Sequence, residues 1–325
     1  MNTRHLRRRT ALLGLAMGAF AAARPSWAQG KVMRLVVAFP PGGPVDFVAR
    51  TVSEQLGREL GMQVIVENRA GANGAIAAEY VMHAPPDASV VWLTSVGAVA
   101  INPALYDKLP YNPFTDLAPV SLVANNVEVL VVTANDPSST AAEFVAAARR
   151  SKDGITMASS GSGSVPHLAM ELLAEATGAN LVHVPYKGAA PAITDVIAGH
   201  VGGFFGDIPG LIAFIRAGKL KPIGIASPRR HPLLPDVKTF EEVGIKGVDS
   251  DNWYALFVGK GTPAADIERL NQALRKTLGN EAVKAKLLAS GAEPAPSTPA
   301  ELATLLKNDA AKWGRVVRTR KVKAD

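Results

Sequence analysis

Two strand-to-helix turns hold the residues whose types and spacing could do chemistry. One is Phe39-Pro40-Pro41-Gly42-Gly43-Pro44-Val45-Asp46, the other Ser159-Ser160-Gly161-Ser162-Gly163-Ser164. Each follows a short β-rich run (residues 35–38 and 155–158) and precedes a helical pattern. Such a turn leaves backbone N–H groups unpaired at a helix start, and the helix dipole favours an anion there. Two of them, about 120 residues apart, imply a cleft that clamps a carboxylate between two lobes.

In the first turn Pro44 suits the first helical position, where its missing N–H costs nothing. Gly43 then falls at the N-cap, and Gly42 with Gly43 permits close backbone approach. Asp46 lies in the first helical turn. Either it bonds back to a cap N–H and stands behind the ligand, or it meets a hydroxyl, ammonium or water on the ligand. The same letters also spell a tight turn that merely ends a buried strand. In the second turn Ser159, Ser160, Gly161 and Ser164 are the candidates to touch a ligand. A flexible linker has the same composition, but helical spacing resumes at once from His167.

A third segment, His183-Val184-Pro185-Tyr186-Lys187-Gly188, ends a strand in a loop, where α/β folds collect ligands. Tyr186 offers a flat face and a hydroxyl. Lys187 offers a positive charge, although a solvated surface lysine reads the same. His183 alternates with core positions and reads as a packed strand residue. Asp207 closes another strand and either faces the cleft or caps the next helix.

Enzyme signatures are missing. There is no G-x-S-x-G, H-E-x-x-H, Walker A or G-x-G-x-x-G pattern, and Pro166 stands where the last of these needs its third glycine. The six histidines are dispersed without metal-ligand spacing, and the absence of cysteine excludes disulfides and thiolate chemistry. No catalytic residue, metal or cofactor is expected.

The elements that must position these turns alternate. Strand-like segments at 32–39, 63–67 and 90–94 interleave with helical ones, and 102–119 reads as a long surface loop. A second series runs from 155 to 226 as four compact β–α units. Residues 127–133 and 253–258 flank it and read as strands by which the chain crosses into a second lobe and back. Helices finish the chain, ending in a charged tail at 318–323. The pattern predicts an α/β fold with parallel sheets covered on both faces.

The first 28 residues read as a signal peptide, with a basic start, an apolar run at 11–23 and Ser26-Trp27-Ala28 before the cut. Arg8-Arg9-Thr10 also loosely matches a twin-arginine signal, so Sec and Tat export both stay open. This leader holds five Arg and no acid, which leaves 30 basic against 28 acidic residues beyond it. The sequence pI of 9.6 is therefore mostly leader, and nothing points to nucleic acid.

Seven segments, in order along the chain, resemble the Bug-type receptors of tripartite tricarboxylate transporters. They are residues 39–46, Val66-Glu67-Asn68-Arg69-Ala70-Gly71-Ala72, Asn102–Tyr106 with Leu109-Pro110-Tyr111, Gly161–Ser164 with His167-Leu168, residues 183–188, Leu234-Pro235-Asp236-Val237 and Gly261-Thr262-Pro263. The resemblance implies a two-lobed, type II periplasmic-binding-protein-like fold with the ligand cleft between lobes joined by two crossing strands. Lobe 1 would comprise residues 29–128 and 252–325, and lobe 2 residues 129–251. By position, the first-lobe contacts would be Phe39, Gly42, Gly43, Asp46 and Ser95. The second-lobe contacts would be Ser159, Ser160, Gly161, Tyr186, Lys187, Gly188 and Asp207. The expected protein is a monomeric, non-enzymatic periplasmic receptor that delivers a small organic carboxylate to membrane permease subunits. A ligand sensor for a signalling partner and an enzyme on the same scaffold are the alternatives. Val45 stands where the family usually has a small or hydroxyl residue, which bears on the identity of the ligand.

Overall fold

An apolar run makes β1 (Val32–Val37), and its side chains serve two cores, Leu35 and Val37 on one face and Val36 on the other. Residues 31–324 are described by this computed structural model; the leader read at 1–28 lies outside them. Helix α1 (Pro44–Leu60) starts with Pro44 at its first position and stops at Gly61, whose φ of 64° suits glycine. Strand β2 (Gln63–Asn68), a 3₁₀ turn at Ala72–Gly74, α2 (Ala75–Met82) and β3 (Val90–Ser95) follow. Strands β2 and β3 pair with β1 in parallel. A π-turn at Gly97–Ile101 and the short α3 (Asn102–Leu105) lead to β4 (Leu117–Asn126).

At Val127 the chain passes from the first sheet to the second, entering it as β5 (Glu128–Thr133). Then come α4 (Ala141–Arg150), β6 (Ile155–Ser159), α5 (Val165–Thr177), β7 (Leu181–Pro185), α6 (Ala189–Ala198), β8 (Gly203–Asp207), α7 (Ile208–Arg216) and β9 (Leu220–Ile225). An irregular stretch returns the chain to the first sheet as β10 (Asn252–Gly259). It ends through α8 (Ala264–Gly279), α9 (Glu281–Ser290), β11 (Ala292–Pro294) and α10 (Pro299–Arg320). The strand orders are β11-β4-β10-β3-β1-β2 and β7-β6-β8-β5-β9.

The sheets are mixed rather than purely parallel. Strands β4, β10 and β11 are antiparallel in the first sheet, and β5 is antiparallel to both its neighbours in the second. A strand arriving from the other lobe has no helical crossover forcing it parallel. Strand β4 occupies part of what reads as a surface loop in the sequence. The charged residues at 318–320 continue α10, and Arg320 is bonded rather than solvated, its Nε lying 2.8 Å from Glu171 Oε2.

Trp92, Phe257 and Trp313 fill one face of the first sheet, and Leu35, Tyr254 and Leu256 the other. Each such burial is worth about 1.5–3 kcal/mol, so the fold holds without disulfides. Two-sided burial keeps the central strands in place and leaves their carboxyl ends to carry the site.

Candidate functional site

The first turn is braced from behind by Asp46. Its Oδ2 accepts from the Gly42 N–H at 3.0 Å and from Arg50 Nε at 2.9 Å, and its Oδ1 accepts from Asn68 Nδ2 at 2.9 Å. Asn68 Nδ2 also donates to the Phe39 carbonyl at 3.0 Å. Burial pushes the Asp46 carboxyl up, but the bonds from Arg50, Gly42 and Asn68 outweigh it and hold it below the usual range. Gly43 is the N-cap, with no side chain capping the helix.

The second turn is braced by imidazoles. Ser159 Oγ lies 2.6 Å from His183 Nε2, and the Gly163 N–H donates to His167 Nδ1 at 3.2 Å. The two rings stack with centroids 3.6 Å apart and planes 10° from parallel. Burial and the neighbouring His183 push His167 down to about 3. Ser164 caps α5, accepting from the His167 N–H.

The turn after β7 brings Tyr186, Lys187 and Gly188 to the cleft. The Tyr186 hydroxyl donates to Asp195 Oδ2 at 2.5 Å. Gly188 has φ +111°, and a Cβ there would fall 2.9 Å from Pro40 Cδ of the first turn. After β8, Asp207 does not cap α7 with its side chain. It reaches the first sheet instead, accepting from Asn252 Nδ2 at 3.1 and 3.2 Å and from the Tyr254 hydroxyl at 2.5 Å. Burial raises its carboxyl to about 6 against the pull of those bonds. Directly opposite Asp207 in the β5–β8 ladder is Glu128, fully buried, with neither carboxylate oxygen hydrogen-bonded. Burial first, then Asp207 and Asp251, push Glu128 well above the usual range.

Four helix starts converge on one small cavity of about 40 Å³, on a scale where one water needs about 10–15 Å³. Its wall includes Gly43 and Val45 of α1, Ser164 and Val165 of α5, Ala189 and Ala190 of α6, and Asp207 and Gly210 of α7. The amides of Val45, Val165, Ala189 and Ala190 donate to no protein acceptor among the described residues. No Lys, Arg or His lines this cavity among the described residues. A wider vestibule of about 470 Å³ opens beside it.

Of the residues singled out in the sequence, Phe39, Gly43, Ser95, Ser160, Ser164 and Asp207 line the inner cavity. Gly161, Tyr186, Lys187 and Gly188 line the vestibule, which Phe39 and Ser160 share. Gly42, Asp46 and Ser159 line neither; Asp46 and Ser159 stand behind the walls as the braces just described. Asn73 and Asn252 line the inner cavity and escaped sequence reasoning. Gly71-Ala72-Asn73-Gly74 reads only as the opening of a helix, and nothing local marks Asn252.

A family model described as the tripartite tricarboxylate transporter family receptor matches residues 48–322. Protein BugT of Bordetella pertussis is 31% identical over 318 residues, 97% of this chain and 98% of that protein. MatC from Rhodopseudomonas palustris, solved with bound malate, is 32% identical; its TM-score is 0.84, over 88% of this chain and 98% of its own. A second R. palustris protein, solved with adipate, is 30% identical, with a TM-score of 0.87 over 93% of this chain and 100% of its own. Two lobes facing one another across an amide-lined cavity define the class: a solute receptor of the type II periplasmic-binding-protein kind. Within that class, the chain belongs to the Bug-type receptor family of tripartite tricarboxylate transporters.

Proposed function

We propose that this chain is an extracytoplasmic receptor that binds a small organic carboxylate between its lobes and delivers it, chemically unchanged, to tripartite permease subunits. One observation carries the reading: among the described residues, four helix starts converge, three of them with unengaged amides, on a cavity that no Lys, Arg or His lines. Only an anion short enough to sit on main-chain donors gains from that arrangement. The malate and adipate of the two R. palustris structures are carboxylates of this kind. The leader read at 1–28 supports export to the periplasm. No described helix is long and apolar enough to cross a membrane. The lobes, read at 29–128 with 252–325 and at 129–251, are taken to meet one residue earlier, since Glu128 already pairs in the second sheet. Ligand contacts are assigned to Phe39, Gly43, Ser95, Ser160, Gly161, Ser164, Tyr186, Lys187, Gly188 and Asp207, with Gly42, Asp46 and Ser159 acting from behind.

A thermal-shift and calorimetry series with malate, succinate, adipate and their amides tests the reading. A ligand that binds only the native state raises Tm by mass action. The free acids are expected to raise Tm and the neutral amides not. Equal shifts from acids and amides, or no shift from any acid, would overturn it.

A further inference from the structure

The peptide of Gly163 lies on the seam between the lobes and is gripped at both ends. Its N–H donates to His167 Nδ1 at 3.2 Å, and its carbonyl accepts from Asn73 Nδ2 of the opposite lobe at 2.9 Å. Asn73 is itself anchored, since Nδ2 also donates to Asn102 Oδ1 at 2.9 Å while Asn102 Nδ2 returns a bond to the Asn73 carbonyl at 3.2 Å. On the other side, accepting through Nδ1 places the His167 proton on Nε2, and Nε2 faces Glu171 Oε1 at 3.8 Å. Glu171 Oε2 accepts from Arg320 Nε at 2.8 Å, and Arg320 ends α10 in the first lobe. The line therefore leaves the first lobe at Asn73, runs through Gly163 and His167 to Glu171 one turn along the same helix, and re-enters it at Arg320.

We propose that this line is a closure latch, in which His167 is a positioning residue that aims the Gly163 carbonyl at Asn73 and so sets how long a bound ligand stays. Ser160 and Ser164 wall the inner cavity and Gly161 and Ser162 the vestibule, so fixing Gly163 between them across the seam fixes Ser160 and Ser164 against the ligand. Separating the lobes must break both the Asn73–Gly163 and the Glu171–Arg320 contacts. A neutral ring is required, because a protonated Nδ1 cannot accept. Burial against His183 keeps the ring neutral. The latch rests on the reading of the cavity as a ligand site, but closure is measurable without ligand.

Four variants test it. Asn73→Asp exchanges the donor for an acceptor at equal size, and Asp tolerates the left-handed backbone (φ 46°) found here. His167→Leu removes the acceptor, while His167→Asn restores one at the Nδ1 position. Arg320→Gln cuts the far end only. Circular dichroism melts check folding. Small-angle scattering of ligand-free protein reads the lobe separation, and stopped-flow fluorescence reads release of malate or adipate, whichever raises the wild-type Tm. His167→Leu is expected to expand the ligand-free protein and to release ligand roughly tenfold faster with unchanged association; Asn73→Asp, which also puts a carboxylate on the cavity wall, is expected to expand the ligand-free protein and to speed release at least as much. His167→Asn is expected to stay near wild type, and Arg320→Gln to fall between. Folded Asn73→Asp with wild-type scattering and release would overturn the latch. His167→Asn matching His167→Leu would overturn the positioning role and leave the ring as packing. If neither acid binds wild-type protein, the carboxylate reading fails, while scattering still decides the latch.

Discussion

The two glycine-rich turns end in the same device, a helix start with exposed amides, but are held by different chemistry. The first leans on an ionised carboxylate, Asp46, bonded by Gly42, Arg50 and Asn68. The second leans on two stacked imidazoles, of which His167 is held neutral by burial. Their glycines differ as well. Gly43 has an unstrained extended backbone (φ −80°), and a Cβ there would meet only the Pro40 carbonyl at 3.5 Å. Gly163 has φ +76°, and a Cβ there would fall 2.1 Å from Leu105 Cδ2 of the opposite lobe. At these two glycines the first turn is thus open and the second mates with the opposite lobe, although Pro40 of the first turn also packs close to Gly188.

The contrast breaks or sharpens by experiment. The largest effect is expected for Gly163→Val, where left-handed strain and overpacking against Leu105 each cost about 1–3 kcal/mol. Ligand affinity should fall by roughly 30-fold or more by calorimetry, while the open protein stays folded. A folded variant with wild-type affinity would mean that the lobes need not mate there. Next is Asp46→Ala, which strands the Gly42 and Asn68 donors at about 2–3 kcal/mol. Tm should drop by roughly 5–10 °C; an unchanged Tm would show the brace to be idle.

The pH profile separates the braces further. The folded pKa of Asp46 is depressed, so its contribution is present above the usual carboxylate range and lost as pH falls through the folded value. Glu128 and Asp207 work in the opposite sense: their pKa values are raised, so stability present at pH 4 declines as pH climbs through the folded values, about 6 for Asp207. Melts from pH 3 to 8 should therefore show wild type falling further behind Glu128→Gln as pH rises. A constant difference between the two would refute the buried-acid assignment. The smallest effect is Gly43→Ala, expected to leave affinity within about threefold; a large loss would show that ligand passes closer to Cα43 than the open space implies.

Both turns were legible in the sequence because turn chemistry is local: Pro-Gly-Gly-Pro and Gly-Ser-Gly-Ser fix backbone shape within a few residues. What stayed hidden depends on distant partners. Strand β4 carries Pro119 and ends in Asn125-Asn126, poor strand formers; it exists because β10 pairs with it, and Pro119 sits where that register slips. Asn252 acquires its role from Asp207, 45 positions away in sequence. For Asp46 the sequence allows a bond back to the cap or a ligand contact, and the structure shows the bond to the Gly42 N–H; His183, which reads as a packed strand residue, also braces a turn. Arg320 read as loose tail, since nothing nearby in sequence announces Glu171.

The inner cavity, which no Lys, Arg or His lines among the described residues, bears on how such receptors diversify. Main-chain amides survive every substitution except one to proline, so affinity for an acidic end group survives most point changes. Apolar wall positions such as Val45, Ile193 and Phe204 are then open to variation in size and shape. New substrates become reachable by resculpting the wall around a fixed anchor, without a cationic clamp having to be lost and rebuilt on the way.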